Sequence, residues 1–287
     1  MDLEPKVSTA FVLAGGGSFG AVQVGMLRAL VAQGVRPDWV VGASVGAING
    51  AYFAGDPTAA GVARLEAVWR GLRRSEVFPL AWRGVLGLDG GNKHVIDPAG
   101  LQRLLTQQLP CQTFESTQVP LHVVATDLMG GGTVQLSSGP LVDAVLASCA
   151  IPALFPPVHL GGRYLIDGAI ASNTPISVAV ALGAQRVIVL PTGFACALVE
   201  PPRSAMASAL HAITLLIVHQ LAQEFERYRG QAHITIAPPL CPLSSSPYDF
   251  SQVGDLIERA AEQTTRWIEH GGLTRQRLPQ ALLAHLH

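Results

Sequence analysis

The sequence predicts an α/β fold, a single domain over residues 1–287 with a mostly parallel central sheet flanked by helices. Three observations predict it. Short apolar β-branched runs alternate with longer helix-compatible segments. Hydrophobic residues make up 49% of the chain and charged residues 14%, a balance that favours one large buried core. No repeat, low-complexity tract or linker-like stretch divides the 287 residues.

In chain order, residues 9–13 read as a buried strand and residues 21–33 as a helix closed by Gly34. Residues 39–42 form the next strand, and residues 45–54 a helix stopped at Gly55-Asp56-Pro57. Further strands are expected at 121–125, 133–136, 163–166, 187–190 and 234–236. Helices are expected at 98–108, 141–148, 175–182, 204–229 and 251–270. Residues 78–94, rich in Gly and carrying Trp82, and residues 192–203, with Pro201-Pro202, resist assignment; loops of that length are often lids or binding elements.

Composition also excludes partners. The formal net charge is -1 and Lys and Arg form no block, so neither a nucleic-acid partner nor a strong pull to anionic lipid is expected. Any lipid contact is expected to be peripheral and apolar. Cys111, Cys149, Cys196 and Cys241 show no paired metal-ligand spacing and read as reduced thiols. The N-terminal residues lack a signal-peptide pattern, and residues 209–218 fall short of the roughly 20 apolar residues a membrane span needs. A cytoplasmic protein is the simplest expectation, and oligomeric state is left open.

Chemistry centres on Gly42-Ala43-Ser44-Val45-Gly46, a Gly-x-Ser-x-Gly between an expected strand and helix. Such a turn strains the serine backbone, lifts its hydroxyl above the sheet, and places it at a helix N-terminus that favours developing negative charge. Upstream, Gly15-Gly16-Gly17-Ser18-Phe19-Gly20 forms a loop whose amides can point at an anion. Either a pyrophosphate or the oxyanion of a tetrahedral acyl intermediate suits it. A dinucleotide site needs an acid at the end of the second strand; that place is held by Ser44, while Asp38 precedes the strand. The context therefore turns the loop toward the oxyanion.

A serine nucleophile needs a base. Asp167 ends a β-like run and precedes Gly168-Ala169, which also fits a plain turn or helix cap. His159 and His94 are the histidines placed to complete a conventional triad, whose members are recognised by geometry.

The glycine loop, the serine turn and Asp167-Gly168-Ala169 stand in one order. Together with Ala147-Ser148-Cys149-Ala150-Ile151-Pro152-Ala153-Leu154-Phe155-Pro156-Pro157-Val158, they resemble the patatin-like phospholipases over about residues 9–190. The remainder, 191–287, reads as a helical and strand extension.

The resemblance implies a Ser-Asp dyad, with Ser44 as nucleophile and Asp167 as proton acceptor. It also implies an oxyanion hole from the amides of Gly15, Gly16, Gly17 and Ser18, with Gly20, Gly42, Gly46 and Gly168 supporting the motifs. The implied substrate is a lipid or other acyl ester, hydrolysed through an acyl-enzyme, with no cofactor or metal. Phe19 departs from the family, whose members often carry Arg or Lys there. Leu86, Leu88, Phe53, Phe78, Phe155 and residues 192–203 are candidates for an acyl channel, with core packing as the plainer alternative. Acyl transfer by the same acyl-serine, a dinucleotide enzyme and a silent lipid-binding protein are the rival readings.

Overall fold

The computed structural model describes residues 7–73, 97–193, 196, 200–201, 205–243 and 249–282. Its strands are β1 (Thr9–Leu13), β2 (Trp39–Ala43), β3 (Leu121–Asp127), β4 (Thr133–Leu136), β5 (Val158–Leu160), β6 (Arg163–Asp167), β7 (Arg186–Leu190) and β8 (His233–Ile236). They form one sheet in which β3-β2-β1-β7-β8 are successive neighbours, β4 and β6 also pair with β3, and β5 pairs with β6. β3, β2, β1, β7 and β8 run parallel to one another, whereas β4, β5 and β6 pair antiparallel.

The five parallel strands are buried because alternate residues face two apolar layers. Phe11, Leu13, Val40, Val123 and Ile188 join one layer; Ala10, Val12, Val41, Val124 and Val189 join the other. Helices α1 (Gly20–Ala32), α2 (Val45–Gly55), α3 (Ala59–Gly71), α4 (Ala99–Gln108) and α5 (Leu141–Ser148) contribute to the first layer. Beyond Asp167 follow α6 (Ala169–Ser172), α7 (Ile176–Ala181), α8 (Ala205–Tyr228) and α9 (Val253–Glu269). α7 and α8 cover the second layer. α9 returns to the first, crossing α1 so closely that a Cβ on Gly25 would lie 2.3 Å from the Ile257 carbonyl oxygen.

The structure adds two main elements that the pattern reading leaves unassigned. In α3, Thr58 caps the helix by accepting the Gly61 amide at 3.0 Å, and Val62, Leu65 and Trp69 supply a buried helical stripe. β5 is three residues long, too short for its alternation to register. Among the described residues no helix is long and apolar enough to cross a membrane.

A buried polar chain ties α1, α2 and α3 to the sheet. Gln23 donates to the carbonyls of Ala14 and Leu190 at 2.7 and 2.9 Å. Asn49 donates to the Gln23 side chain at 2.9 Å and accepts the Trp69 indole N–H at 2.8 Å. Buried amides need such partners, because an unpaired one costs about 1–3 kcal/mol. The network holds the end of β1, from which the glycine loop departs.

Candidate active site

Ser44 is the single residue between β2 and α2, with φ 53° and ψ -127°. A non-glycine residue at positive φ is strained by about 1–3 kcal/mol, and such strain persists only where the surroundings fix it. Here Gly42 and Gly46 permit the crossing. A Cβ on Gly42 would meet the Gly46 carbonyl oxygen at 2.4 Å, and one on Gly46 the Leu13 carbonyl oxygen at 2.2 Å.

Sheet topology explains why Asp167 arrives beside Ser44. Along β3, Val124 pairs with Ala43 of β2 and Gln135 of β4, while Ala125 pairs with Asp167 of β6 and Val134 of β4. A strand has only two edges, so β2 and β6 share one and β4 takes the other. β2 runs parallel to β3 and ends opposite Val124; β6 runs antiparallel and ends opposite Ala125. The two strands thus meet tip to tip, and Ser44 and Asp167 lie at the junction.

Ser44 Oγ donates to Asp167 Oδ2 at 2.7 Å, and the other carboxylate oxygen accepts the Ala169 amide at 2.8 Å. Asp167 is 3% exposed and Ser44 7%. Burial pushes the Asp167 carboxyl up to about 6, against the lowering influence of the Ala169 amide and the Ser44 hydroxyl. A carboxyl tuned in this way is ionised at neutral pH and still basic enough to take a proton.

Ser148, which the motif reading leaves without a role, is fully buried beneath the junction. Its Oγ accepts the Ser44 amide at 2.8 Å and donates to the Val124 carbonyl at 2.6 Å. The strained residue is thereby tied to β3. Gly168 packs where a Cβ would lie 2.0 Å from the Val124 carbonyl oxygen, so glycine is required after the acid.

The glycine loop lies alongside. The Gly15 amide donates to the Asn173 carbonyl at 3.2 Å, which takes Gly15 out of the expected set of oxyanion donors. Gly16 and Gly17 keep amides with no protein acceptor among the described residues. Gly17 has φ 60° and lines the same cleft as Ser44, while Ser18 is fully buried. Gly20 lies tight against Val45 and Trp69, where a Cβ would fall 2.4 Å from a Val45 methyl. Phe19 is 0% exposed in the core, so this position does not face a substrate.

From Ser44 an apolar cleft with about 780 Å³ of empty space, part of it open to solvent, runs between α2, α3 and α4. Ile48, Leu65, Trp69, Leu104 and Phe155 are among its walls. Phe155 is thus placed as expected. Phe53 is not: it is buried in the core and stacks on Phe11 with ring centroids 5.9 Å apart. Leu86, Leu88, Phe78 and His94 lie outside the described residues, as do most of residues 194–204.

The histidine alternatives fare differently. His159 is exposed on β5 with its ring 5.0 Å from that of Tyr164, and among the described residues no imidazole bonds to Ser44 or Asp167. On the ester-hydrolase reading proposed below, His159→Ala is expected to keep turnover within about twofold of the parent, since surface changes away from a site are close to neutral. A hundredfold loss would return a histidine to the mechanism. Asp38 accepts the Thr9 amide at 2.8 Å at the start of β1, the opposite end of the parallel strands from Ser44. Asp38 therefore does not stand at the strand end where a dinucleotide's ribose would need an acid.

Comparison with known proteins agrees with this architecture. The family model for patatin-like phospholipase matches residues 11–180. Patatin-like phospholipase domain-containing protein 7 of Rattus norvegicus is 29% identical over 186 residues, covering 64% of this chain and 13% of that protein. An NTE family protein of Mycobacterium tuberculosis is 29% identical over 177 residues, or 60% of this chain and 28% of its own length. The chain therefore spans a small part of these curated relatives. Human GIVD cytosolic phospholipase A2, solved with a methyl γ-linolenyl fluorophosphonate inhibitor and terbium chloride, is similar in fold. Its TM-score is 0.51 at 14% identity, covering 98% of this chain and 61% of the solved one.

Proposed function

This chain belongs to the patatin-like phospholipase family, and on that premise we propose that it is a serine lipid acyl hydrolase of the phospholipase A, lysophospholipase or esterase kind. The observation that carries the reading is the 2.7 Å hydrogen bond from Ser44 Oγ to Asp167 at the mouth of an apolar cleft. The cleft suits an acyl chain, and the amides of Gly16 and Gly17 are the donors left for a carbonyl oxygen that becomes negative.

In the first half-reaction Asp167 takes the hydroxyl proton as Ser44 Oγ bonds to the ester carbonyl carbon. The carbonyl electron pair moves onto oxygen, where backbone donors stabilise it. Collapse of the tetrahedral adduct breaks the bond to the alcohol, which leaves with the proton from Asp167. Water then attacks the acyl-serine by the same sequence, releasing the fatty acid and restoring Ser44. The strained Ser44 backbone holds Oγ toward its target before substrate arrives.

The base must be ionised to act. With the Asp167 carboxyl at about 6, turnover is expected to fall below that pH with a slope of one proton and to level off above it. A pH–rate profile with its acidic midpoint near 4 would remove the buried carboxyl from the rate-determining step. The reading as a whole is tested with an alkyl fluorophosphonate, followed by peptide mass spectrometry of the parent, Ser44→Ala and Asp167→Asn proteins. An adduct on Ser44 that falls sharply in Asp167→Asn is expected. A folded parent with no adduct would overturn the assignment.

A further inference from the structure

The two sides of the Gly15–Gly16 peptide are used differently. On one side, the Thr192 hydroxyl donates to the Gly15 carbonyl oxygen at 2.7 Å, and Asn173 Nδ2 approaches the same oxygen at 3.5 Å. Gly15 N–H, in turn, donates to the Asn173 carbonyl. Thr192 and Asn173 are each 2% exposed. They come from opposite directions: Thr192 follows β7 by two residues, and Asn173 follows α6, the short helix that leaves Asp167.

The first two glycines of the loop fit this contact. A Cβ on Gly15 would lie 2.5 Å from Asn173 Oδ1, and a Cβ on Gly16 2.2 Å from Thr192 Oγ1. Side chains here would push the loop off both partners. At Gly15 and Gly16, glycine is thus required by Asn173 and Thr192, whatever the substrate demands.

In a trans peptide the carbonyl and the following N–H point to opposite sides of one plane. The Gly15–Gly16 bond is not among the cis bonds of the chain. Holding the Gly15 carbonyl against Thr192 therefore turns the Gly16 N–H the other way. We infer that Thr192 is a positioning residue for the reaction: with Asn173 it clamps the Gly15 carbonyl and so aims the Gly16 amide at the oxyanion. The clamp rests on the hydrolase reading above and extends it to a residue beyond the family motifs. A donor fixed before the reaction stabilises the transition state without reorganising, which is where its worth lies.

The test compares parent, Thr192→Ala and Thr192→Ser in steady-state hydrolysis of a p-nitrophenyl acyl ester, with thermal melts on each. Deleting an oxyanion donor costs roughly 10²–10³ in kcat, and misaiming one costs less. Thr192→Ala is expected to lower kcat by about 10- to 100-fold with KM within about twofold, and Thr192→Ser to recover most of it. The acidic midpoint of the pH profile is expected to stay with Asp167, because the base is untouched.

Thr192→Val keeps the side-chain volume without the hydroxyl and serves where alanine loosens the fold. Parental kcat in either folded variant overturns the clamp. So does a loss carried by KM, or one that serine fails to restore. If the parent itself neither turns over ester nor labels at Ser44, the hydrolase reading fails first.

Discussion

Ser44→Ala and Asp167→Asn are each expected to lower acyl-ester turnover by about four orders of magnitude or more, and the double variant is expected to be no worse than either. In the proposed mechanism the two residues act on one proton and one bond, so removing either removes the same event. On that proposal Ser44 supplies the atom that becomes acylated. Asp167 is the acceptor bonded to its hydroxyl, and its second oxygen is already held by the Ala169 amide. Among the described residues no histidine stands behind it to take over the proton. The check is kcat on a short-chain ester together with the rate of fluorophosphonate labelling. Retention of more than about a tenth of parental turnover by Asp167→Asn would contradict its role as base. An adduct elsewhere would move the nucleophile away from Ser44.

Much of the site is legible in the chain because its motifs are local. Gly42 to Gly46 is a turn whose function follows from adjacent residues, and the steric need for both glycines is met within the same few positions and the neighbouring Leu13. The link to Asp167 is of another kind. It spans 123 positions and depends on β6 entering β3 from the opposite direction on the edge that β2 vacates. No local pattern encodes an edge, so the residues alone leave a turn, a cap and a base open for Asp167. The family resemblance supplied the choice.

The same limit explains the misses. Ser148 lies inside the Ala147 to Val158 motif, yet its bond to the Ser44 amide exists only once α5 packs beneath the junction. Gly15 carries the composition of an oxyanion donor but spends its amide on Asn173. Phe53 sits on a helix buried nearly all round, where periodicity does not say which face meets a cleft and which meets the core. By contrast, the signal for α3 is local: a capping threonine and an apolar stripe both lie within residues 58–69.

Asp167→Asn is also expected to make the protein more stable at neutral pH while it abolishes turnover. In the folded state the carboxyl sits at about 6, against an ordinary 3.8, because burial disfavours its charge. Below about pH 4 the group is protonated whether the chain is folded or not, and the favourable contribution of the protonated form is present in full. Between about pH 4 and 6 the folded protein keeps the proton that the unfolded chain gives up, so stability falls as pH rises. Above about 6 the cost is constant, and a gap of about two pH units corresponds to roughly 3 kcal/mol. Asparagine has the same shape. Its oxygen still accepts the Ala169 amide and its NH₂ donates to Ser44, so the change removes the buried charge without emptying the site. Melting temperatures of parent and variant are expected to converge near pH 4 and to separate above pH 6, the variant melting several degrees higher at pH 8. A variant that melts at or below the parent at pH 8 would mean that the ionised carboxylate is better satisfied than its burial implies. The acid would then be part of the fold's stability, and the trade between a tuned base and a stable core would not exist at this position.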